Sequence, residues 1–202
     1  MMHRNILWIT VLFVLLTGFV KPRNFTVVTE TKWLISESSS LSVNGTTNIN
    51  KFACDIPAYD QTDTLTLSRG NKEIILSGDI RLKIQSFNCH NSIMTHDLRK
   101  TLKEKEFPHL RIRFLSLSEF PDLTAKPAMI TGFVDIELAG ATKRFQVKYL
   151  VSIDDQKNIH LLGSRDVNFS DFNLIPPRKL GGMIKTNDKL SVAFHLKMRD
   201  LN

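Results

Sequence analysis

The chain has 202 residues, a length that suits one domain of ordinary size, or one domain that follows a leader segment. Its formal charge is +7, but residues 1–24 hold three of the 27 Lys and Arg residues and none of the 20 acids, leaving 24 cations against 20 acids. These cations mostly alternate with apolar residues along predicted strands, whereas a nucleic-acid-binding face would cluster them with aromatic residues. We therefore expect no nucleic-acid partner.

The first 24 residues have the pattern of a secretory signal peptide. Arg4 precedes an uncharged, apolar-rich run over residues 6–20, and the charged segment 21–23 ends it. A run of 15 residues is short for a membrane span, which needs about 20, but it suits the apolar core of an export signal. The sequence predicts a periplasmic or secreted protein whose residues 1–24 are cleaved or, alternatively, kept as an N-terminal anchor that would be its contact with a membrane.

The chain has two cysteines, Cys54 and Cys89. In an exported protein such a pair is more often a disulfide than a metal site. A bond that closes a loop of about 35 residues stabilises by roughly 3–4 kcal/mol in the chain-entropy model. The alternative is a thiol or metal site that includes His90, although the spacing of His90 and His96 matches no standard zinc or copper pattern. We predict a disulfide, no metal and no cofactor.

Apolar and polar residues alternate with the period of β-strands from about residue 24 to the C-terminus. Residues 63–78 are typical of a hairpin, and segments 80–87, 110–115 and 189–198 each have one apolar face. We predict about eight to ten strands in one domain over residues 25–202. Antiparallel strands of this kind either stack as a sandwich or close into a barrel, and the pattern alone does not separate the two.

One segment interrupts the strands with the period of a helix. Met94, Leu98 and Leu102 lie four residues apart, as a single helical stripe requires. Ser92 is a candidate N-cap, and Pro108 prevents the helix from continuing. We predict one helix of about three to four turns.

A second hairpin is predicted over residues 129–154, where the apolar faces of both strands fall on one side if the turn is at residues 140–141. The predicted pairs are Ile136 with Phe145, Val134 with Val147, Gly132 with Tyr149 and Ile130 with Val151. A glycine opposite a tyrosine lets the ring lie across bare backbone.

No motif of the sequence indicates catalysis. The strings of serine hydrolases, zinc proteases, P-loop proteins and dinucleotide-binding proteins do not occur. Asp154 and Asp155 are interpreted as turn formers, and His160 and His195 as exposed side chains. We expect that the protein is not an enzyme.

Four segments, in the same order, resemble the motifs of the YceI-like domain family. In residues 40–54, GTTNINKF resembles the run that follows the family's first strand, and residues 88–114 resemble its helix and following strand. Residues 129–147 resemble its "tGxLxlxGxtkxv" hairpin, and residues 166–174 its late turn centred on a phenylalanine. The paired cysteines are similar to variants from Bacteroidetes-type bacteria. Asn173 departs from the family pattern, which commonly has glycine there.

The resemblance implies an all-β fold: an antiparallel, lipocalin-like barrel of about eight strands with one short helix, exported, whose lumen holds an isoprenoid or another long apolar chain. The segment IPPRKLGGM is expected to reshape one mouth of this barrel, where Arg178 and Lys179 are candidates for contact with a head group. The candidate lumen-lining residues are Ile112, Phe114, Ile130, Val134, Ile136, Phe145, Val147, Tyr149, Val192, Phe194 and Leu196.

Two functions remain open for these inward-facing residues. One is an exported lipid-binding protein that carries or sequesters an isoprenoid or similar long-chain lipid. Such a chain gains about 0.8 kcal/mol for each buried CH₂, so the site needs no sharp polar motif. The other is a periplasmic stress, structural or partner-interaction domain, in which the same side chains simply fill the barrel.

Overall fold

A computed structural model describes residues 30–70, 73–123 and 126–201. The predicted leader at residues 1–24 lies outside them. The strands of the described residues are β1 (Thr31–Ile35), β2 (Ser40–Thr47), β3 (Lys51–Ile56), β4 (Thr64–Arg69), β5 (Ile74–Lys83), β6 (His109–Leu117), β7 (Ala128–Leu138), β8 (Ala141–Ile153), β9 (Ile159–Asn168), β10 (Arg178–Lys179) and β11 (Ile184–Asp200). They also contain one α-helix, α1 (Ser92–Thr101), and 3₁₀ turns at Ile84–Ser86, Phe169–Phe172 and Leu180–Gly182.

Eight of these strands close into an antiparallel barrel. Their order is β1, β4, β5, β6, β7, β8, β9 and β11, and β11 pairs back onto β1 through Met198 and Ile35. The long β11 also pairs with β2, along the same edge that pairs with β1. Strand β3 pairs with β2 and lies outside the closed ring. The predicted barrel is confirmed, and the sandwich is excluded because the sheet has no free edge between β1 and β11.

The helix lies at one end of this barrel, which we call the helix end. The β7–β8 turn, the β2–β3 turn and β10 lie at the same end, and the β8–β9 turn lies at the opposite, far end. A disulfide with an S–S distance of 2.00 Å joins Cys54 on β3 to Cys89 ahead of α1. This confirms the predicted bond, and the free-thiol alternative was wrong. Within the described residues, no helix is long and apolar enough to span a membrane.

The β7–β8 hairpin has a different register from the predicted one. Leu138 pairs with Ala141, so the turn is at Ala139 and Gly140, whose φ angles of 51° and 81° suit a tight two-residue turn. The observed pairs are Ile136 with Lys143, Val134 with Phe145, Gly132 with Val147 and Ile130 with Tyr149. All four predicted pairs were therefore wrong by two residues. The inward face was still right, because a shift of two preserves the side of the sheet.

The N-cap of helix α1 lies one residue before the predicted one, and the helix ends sooner than predicted. The side chain of Asn91, not Ser92, accepts a hydrogen bond of 3.0 Å from the Met94 amide. The helix has ten residues, a little under three turns, because Lys103 adopts a left-handed φ of 56° well before Pro108. The predicted stripe does face the barrel, since Leu98 and Leu102 are buried there.

Candidate ligand-binding groove at the helix end

A groove with a volume of about 320 Å³ opens at the helix end of the barrel. Three segments form most of it, namely the β2–β3 hairpin, helix α1 and the stretch 177–186 that contains β10, and Phe169 also lines it. Its wall is mostly apolar, and its apolar lining includes Ile49, Phe52, Ile93, Met94, Leu98 and Ile184. The position of α1 over this opening is fixed by the Cys54–Cys89 bond and by the backbone bridge between Asp55 and Asn88.

A smaller cavity of about 60 Å³ lies inside the barrel, directly behind the helix. Every residue that lines it is apolar, including Leu102 from α1 and Ile112, Ile136 and Val192 from the strands. Leu98 lines both this cavity and the outer groove. Leu98 is the one residue that lines both, so the groove and the cavity approach each other at this side chain.

The far half of the barrel is filled by its own side chains. The ring of Phe194 lies 6.0 Å from that of Tyr149 and 6.2 Å from that of Phe114, centroid to centroid. A Cβ atom on Gly163 would lie 2.2 Å from the Phe194 ring, so the ring packs directly on the β9 backbone. The space described beside Phe194 and Leu196 is about 10 Å³. Of these two inner spaces, the larger is therefore the one behind the helix.

The structure separates the predicted lumen residues into two groups. Ile112, Ile136 and Val192 line the 60 Å³ cavity. The others are buried in the packed core, namely Phe114, Ile130, Val134, Phe145, Val147, Tyr149, Phe194 and Leu196. A ligand role for either group stays a prediction.

The two predicted head-group residues lie at the groove but on opposite faces of β10, as alternation along a strand requires. Lys179 lines the groove, and its Nζ lies 2.5 Å from Oδ2 of Asp97 on α1. Arg178 is exposed and pairs through its backbone with Lys185. The expected remodelling of one mouth by residues 175–183 corresponds to this short β10 segment.

The left-handed position at the end of the Phe169–Phe172 turn explains the departure at Asn173. Asn173 has a φ of 56°, a conformation that glycine adopts freely and that asparagine tolerates better than most residues. A glycine would therefore also suit the backbone conformation of this position.

Most of the groove was missed by sequence reasoning. Ile49 and Ile93 lie in a turn and at a helix start, and neither belongs to an alternating strand pattern. Met94 and Leu98 were recognised as an apolar stripe, but the periodicity did not show that part of this stripe faces an open groove. The contact of three distant segments is what creates the site, and no local pattern reports it.

A polar depression of about 820 Å³ lies on the other side of α1, but it is open and is lined by groups such as His90, Ser92 and Arg99. All of its lining residues except Pro57 have polar side chains, in contrast to the aliphatic and aromatic lining of the groove. His90 there contacts Asp55, with Nε2 at 3.0 Å from Oδ2. Among the described residues, no three His, Cys, Asp or Glu side chains are grouped so that they could hold a metal ion.

The prediction that His160 and His195 are exposed was wrong. Nδ1 of His160 lies 2.7 Å from Nε2 of His195, and the other ring nitrogen of His160 lies 3.1 Å from Oδ2 of Asp154. Burial, with smaller contributions from His160 and Lys197, lowers the pKa of His195. Hydrogen bonds from Asn158, above all from its side chain, lower the pKa of Asp154. The linked side chains of His195, His160 and Asp154 lie on the outer wall near the far end, away from the groove.

Inside the barrel, the hydroxyl of Tyr149 has no hydrogen-bond partner among the described residues. Burial alone raises the pKa of this phenol well above its usual range, so it stays neutral. The tyrosine therefore acts as an aromatic filler of the core, alongside Phe114 and Phe194.

Comparison with known proteins gives a match in fold and none in sequence. No family model matches the chain, and no curated protein matches it. Among solved structures, BcnA of Burkholderia cenocepacia has a TM-score of 0.58 at 13% identity, covering 79% of this chain and 95% of BcnA. A polyisoprenoid-binding domain from Saccharophagus degradans has a TM-score of 0.55 at 11% identity, covering 83% and 97%. The YceI protein of Campylobacter jejuni has a TM-score of 0.50 at 13% identity, covering 69% and 81%. At these identities the comparison shows a shared barrel fold.

Proposed function

We propose that this protein is an exported, YceI-like lipid-binding protein that holds an isoprenoid or similar long apolar chain at the helix end of its barrel. The observation that carries the proposal is the apolar groove of about 320 Å³, which shares the lining residue Leu98 with the apolar cavity inside the barrel. Ligand sites commonly have volumes of about 300–1,000 Å³, so the groove is large enough to hold part of such a chain. The proposal assigns no chemical step to the protein.

Binding would follow from burial. Each CH₂ that moves from water to the apolar wall contributes about 0.8 kcal/mol, so a chain in the groove needs few polar contacts. A rotation of the Leu98 side chain would join the groove to the lumen cavity and let the end of the chain reach Ile112, Ile136 and Val192. Among the residues predicted to line the lumen, we assign these three to the tail.

The polar end of the ligand would remain at the groove opening. Lys179 lines that opening and is held by Asp97 at 2.5 Å, so its charge lies in a fixed position. An anionic head group could share this lysine, with the exposed Arg178 on the other face of the same short strand. We propose these two residues as the head-group contacts.

Three further observations support the wider proposal. The Cys54–Cys89 bond is typical of proteins in oxidising compartments, which supports export to the periplasm or beyond. The polyisoprenoid-binding domain of S. degradans shares the fold, which supports an apolar ligand. The sequence motifs support membership of the YceI-like family, and the paired cysteines support a variant of the kind found in Bacteroidetes-type bacteria.

A second candidate is a periplasmic stress, structural or partner-interaction domain with a ligand-free barrel. The filled far half favours it, because Tyr149, Phe114 and Phe194 occupy the lumen there and the remaining inner cavity is about 60 Å³. The two candidates differ in whether the groove is occupied in the native protein.

Organic extraction of the native protein, followed by mass spectrometry, separates these candidates. Wild type is compared with Met94→Trp, which places a larger side chain in the groove, and with the matched control Met129→Trp on the outer wall, where Met129 is 62% exposed. We expect a stoichiometric apolar lipid in wild type and in the control. In Met94→Trp we expect the affinity for the lipid to fall about tenfold or more, which corresponds to a loss of about 1.4 kcal/mol or more, and less lipid to be extracted.

Repeated absence of lipid from the wild type would favour the ligand-free domain. Equal lipid in both tryptophan variants would show that the chain is bound somewhere other than the groove.

A further inference from the structure

Four aliphatic tips project into solvent around the opening of the groove. Ile49, Ile93, Leu180 and Met183 are 61%, 66%, 66% and 70% exposed. We call these four residues the collar. Large apolar side chains that are exposed together commonly mark an interaction surface, whereas single exposed apolar side chains are normal.

The collar residues come from three separate segments that the structure holds together. Ile49 and Ile93 both line the groove, from the β2–β3 turn and the start of α1. The side-chain amide of Asn48 donates to the carbonyl of Met183 at 2.9 Å, which places Met183 beside the β2–β3 turn. The Met183 amide in turn donates to the carbonyl of Leu180, and Lys179 next to it is bound to Asp97 of the helix.

Cations accompany the collar. Lys51, Arg178 and Lys185 are exposed on the same three-segment surface, and no ion pair involving them occurs within the described residues. The neighbouring acid Asp97 is already bound to Lys179. The collar is therefore flanked by three cations without an ion pair in the described part of the chain, and the nearby Asp188 carboxylate is bound to Ser170.

We propose that the collar docks the protein on an anionic lipid bilayer, with the four aliphatic side chains in the interfacial layer and the cations against the head groups. Aliphatic tips with basic neighbours suit a bilayer surface, whereas protein interfaces are enriched in Tyr, Trp and Phe. Because the collar surrounds the groove, an apolar chain could pass between bilayer and groove without crossing water. The transfer of a chain into the groove rests on the proposed function, whereas the docking on a bilayer does not.

The proposal goes beyond the sequence-based expectation, which placed membrane contact in the N-terminal segment alone. The N-terminal segment and the collar are different parts of the chain, so contact of each with a membrane would protect different residues from hydrogen exchange. Membrane contact through residues 1–24 would attach the protein to vesicles and leave the collar in water.

Hydrogen–deuterium exchange of the full chain locates the footprint. Exchange is measured for the protein alone, with phosphatidylcholine vesicles added, and with added vesicles that also contain phosphatidylglycerol. We expect the anionic vesicles to slow exchange about fivefold or more around residues 47–51, 92–94 and 178–184, with a smaller effect of neutral vesicles. Exchange in the β8–β9 turn at the far end should not change.

Two matched variants control the experiment, each with four exposed apolar residues changed to serine. The collar variant is Ile49→Ser, Ile93→Ser, Leu180→Ser and Met183→Ser. The control variant is Ile75→Ser, Met129→Ser, Phe133→Ser and Leu162→Ser, whose side chains are 40%, 62%, 41% and 40% exposed elsewhere. We expect the collar variant to lose the vesicle protection and the control variant to keep it. Slow exchange in the strands of each variant shows that it is folded.

Vesicle attachment without collar protection would overturn the proposal. So would collar protection that rises with protein concentration and not with vesicles, because the occupant would then be a second copy of the chain. Lipid extraction from the same protein preparation before vesicles are added keeps the two proposals apart. Bound lipid without collar protection contradicts docking alone, and collar protection without bound lipid contradicts the carrier function alone.

Discussion

A phenylalanine ring lies directly on a strand glycine both in the far half of the barrel and at its helix end. A Cβ atom would lie 2.2 Å from the Phe194 ring if placed on Gly163, and 2.2 Å from the Phe52 ring if placed on Gly45. In the far half, Phe194 also meets other aromatic rings and helps close the lumen. In the helix half, Phe52 is half-buried and its outer side lines the groove.

The difference lies in what faces each ring. Strands β8 and β6 supply Tyr149 and Phe114 to Phe194, whereas a short helix and a short strand leave space beside Phe52. The same strand pattern thus produces a solid half that stabilises the barrel and an open half that is available for binding. A substitution that removes aromatic volume should have different consequences in the two halves.

The largest contrast is expected between Phe194→Ala and Phe52→Ala. Phe194→Ala leaves a cavity among packed rings and should lower the free energy of unfolding by about 3–5 kcal/mol. Phe52→Ala removes a half-buried ring and should lower it by roughly 1–2 kcal/mol, while enlarging the groove. Urea denaturation with unchanged m-values measures both. Equal losses would show that the two halves are packed alike.

Loss of the disulfide should loosen one half selectively. Cys54→Ala with Cys89→Ala removes a cross-link over a sequence separation of 35, worth about 3–4 kcal/mol in the chain-entropy model. Since the bond ties β3 to the entry of α1, hydrogen exchange should accelerate first in α1 and β3. Treatment of wild type with reductant should reproduce the effect, and the variant should not respond to it. Uniform acceleration over β6 to β9 would contradict a local role.

Acid should lower the stability of the far half, and we expect this effect to be smaller than the loss of the disulfide. The folded protein holds the pKa of His195 below its ordinary value near 6.5, so the unfolded chain takes up this proton first. The contribution of His195 to stability is thus complete above about pH 6.5 and declines as the pH falls below it. The Asp154 carboxylate, whose pKa is also lowered, loses its contribution only further down, below its ordinary value near 3.8.

The test is the midpoint of urea unfolding between pH 7.5 and pH 5, compared with the variant His195→Gln. We expect the wild-type midpoint to fall across this range and the variant to show a flatter profile. A steeper fall in the variant would mean that His195 gains a stabilising charge on protonation, opposite to the direction given by its burial beside His160 and Lys197.

The packed half was largely predictable from sequence, because it depends on alternation. Inward residues of β6, β7, β8 and β11 were assigned to the correct face even though the β7–β8 register was wrong, since the error was an even number of residues. The turn was misplaced because Ala139 adopts a left-handed conformation that alanine seldom takes, and the pattern pointed to the next pair.

The open half was not predictable in the same way. Its groove depends on how far α1 extends, and that is set by the left-handed Lys103 and the cap at Asn91. The pairing of His160 with His195 was also missed, because cross-strand neighbours on an outer wall depend on register and not on alternation. Long-range contacts between short segments leave little trace in local periodicity.

If hydrocarbon is buried at the helix end, the affinity for a simple apolar chain should depend on the length of that chain. Lipid-free, full-chain protein is titrated with primary alcohols of increasing length, and their affinities are measured by displacement of an apolar fluorescent probe. We expect the affinity to rise about fourfold for each added CH₂ until the groove is filled, as 0.8 kcal/mol per buried CH₂ implies. An affinity that does not change with chain length would contradict the account.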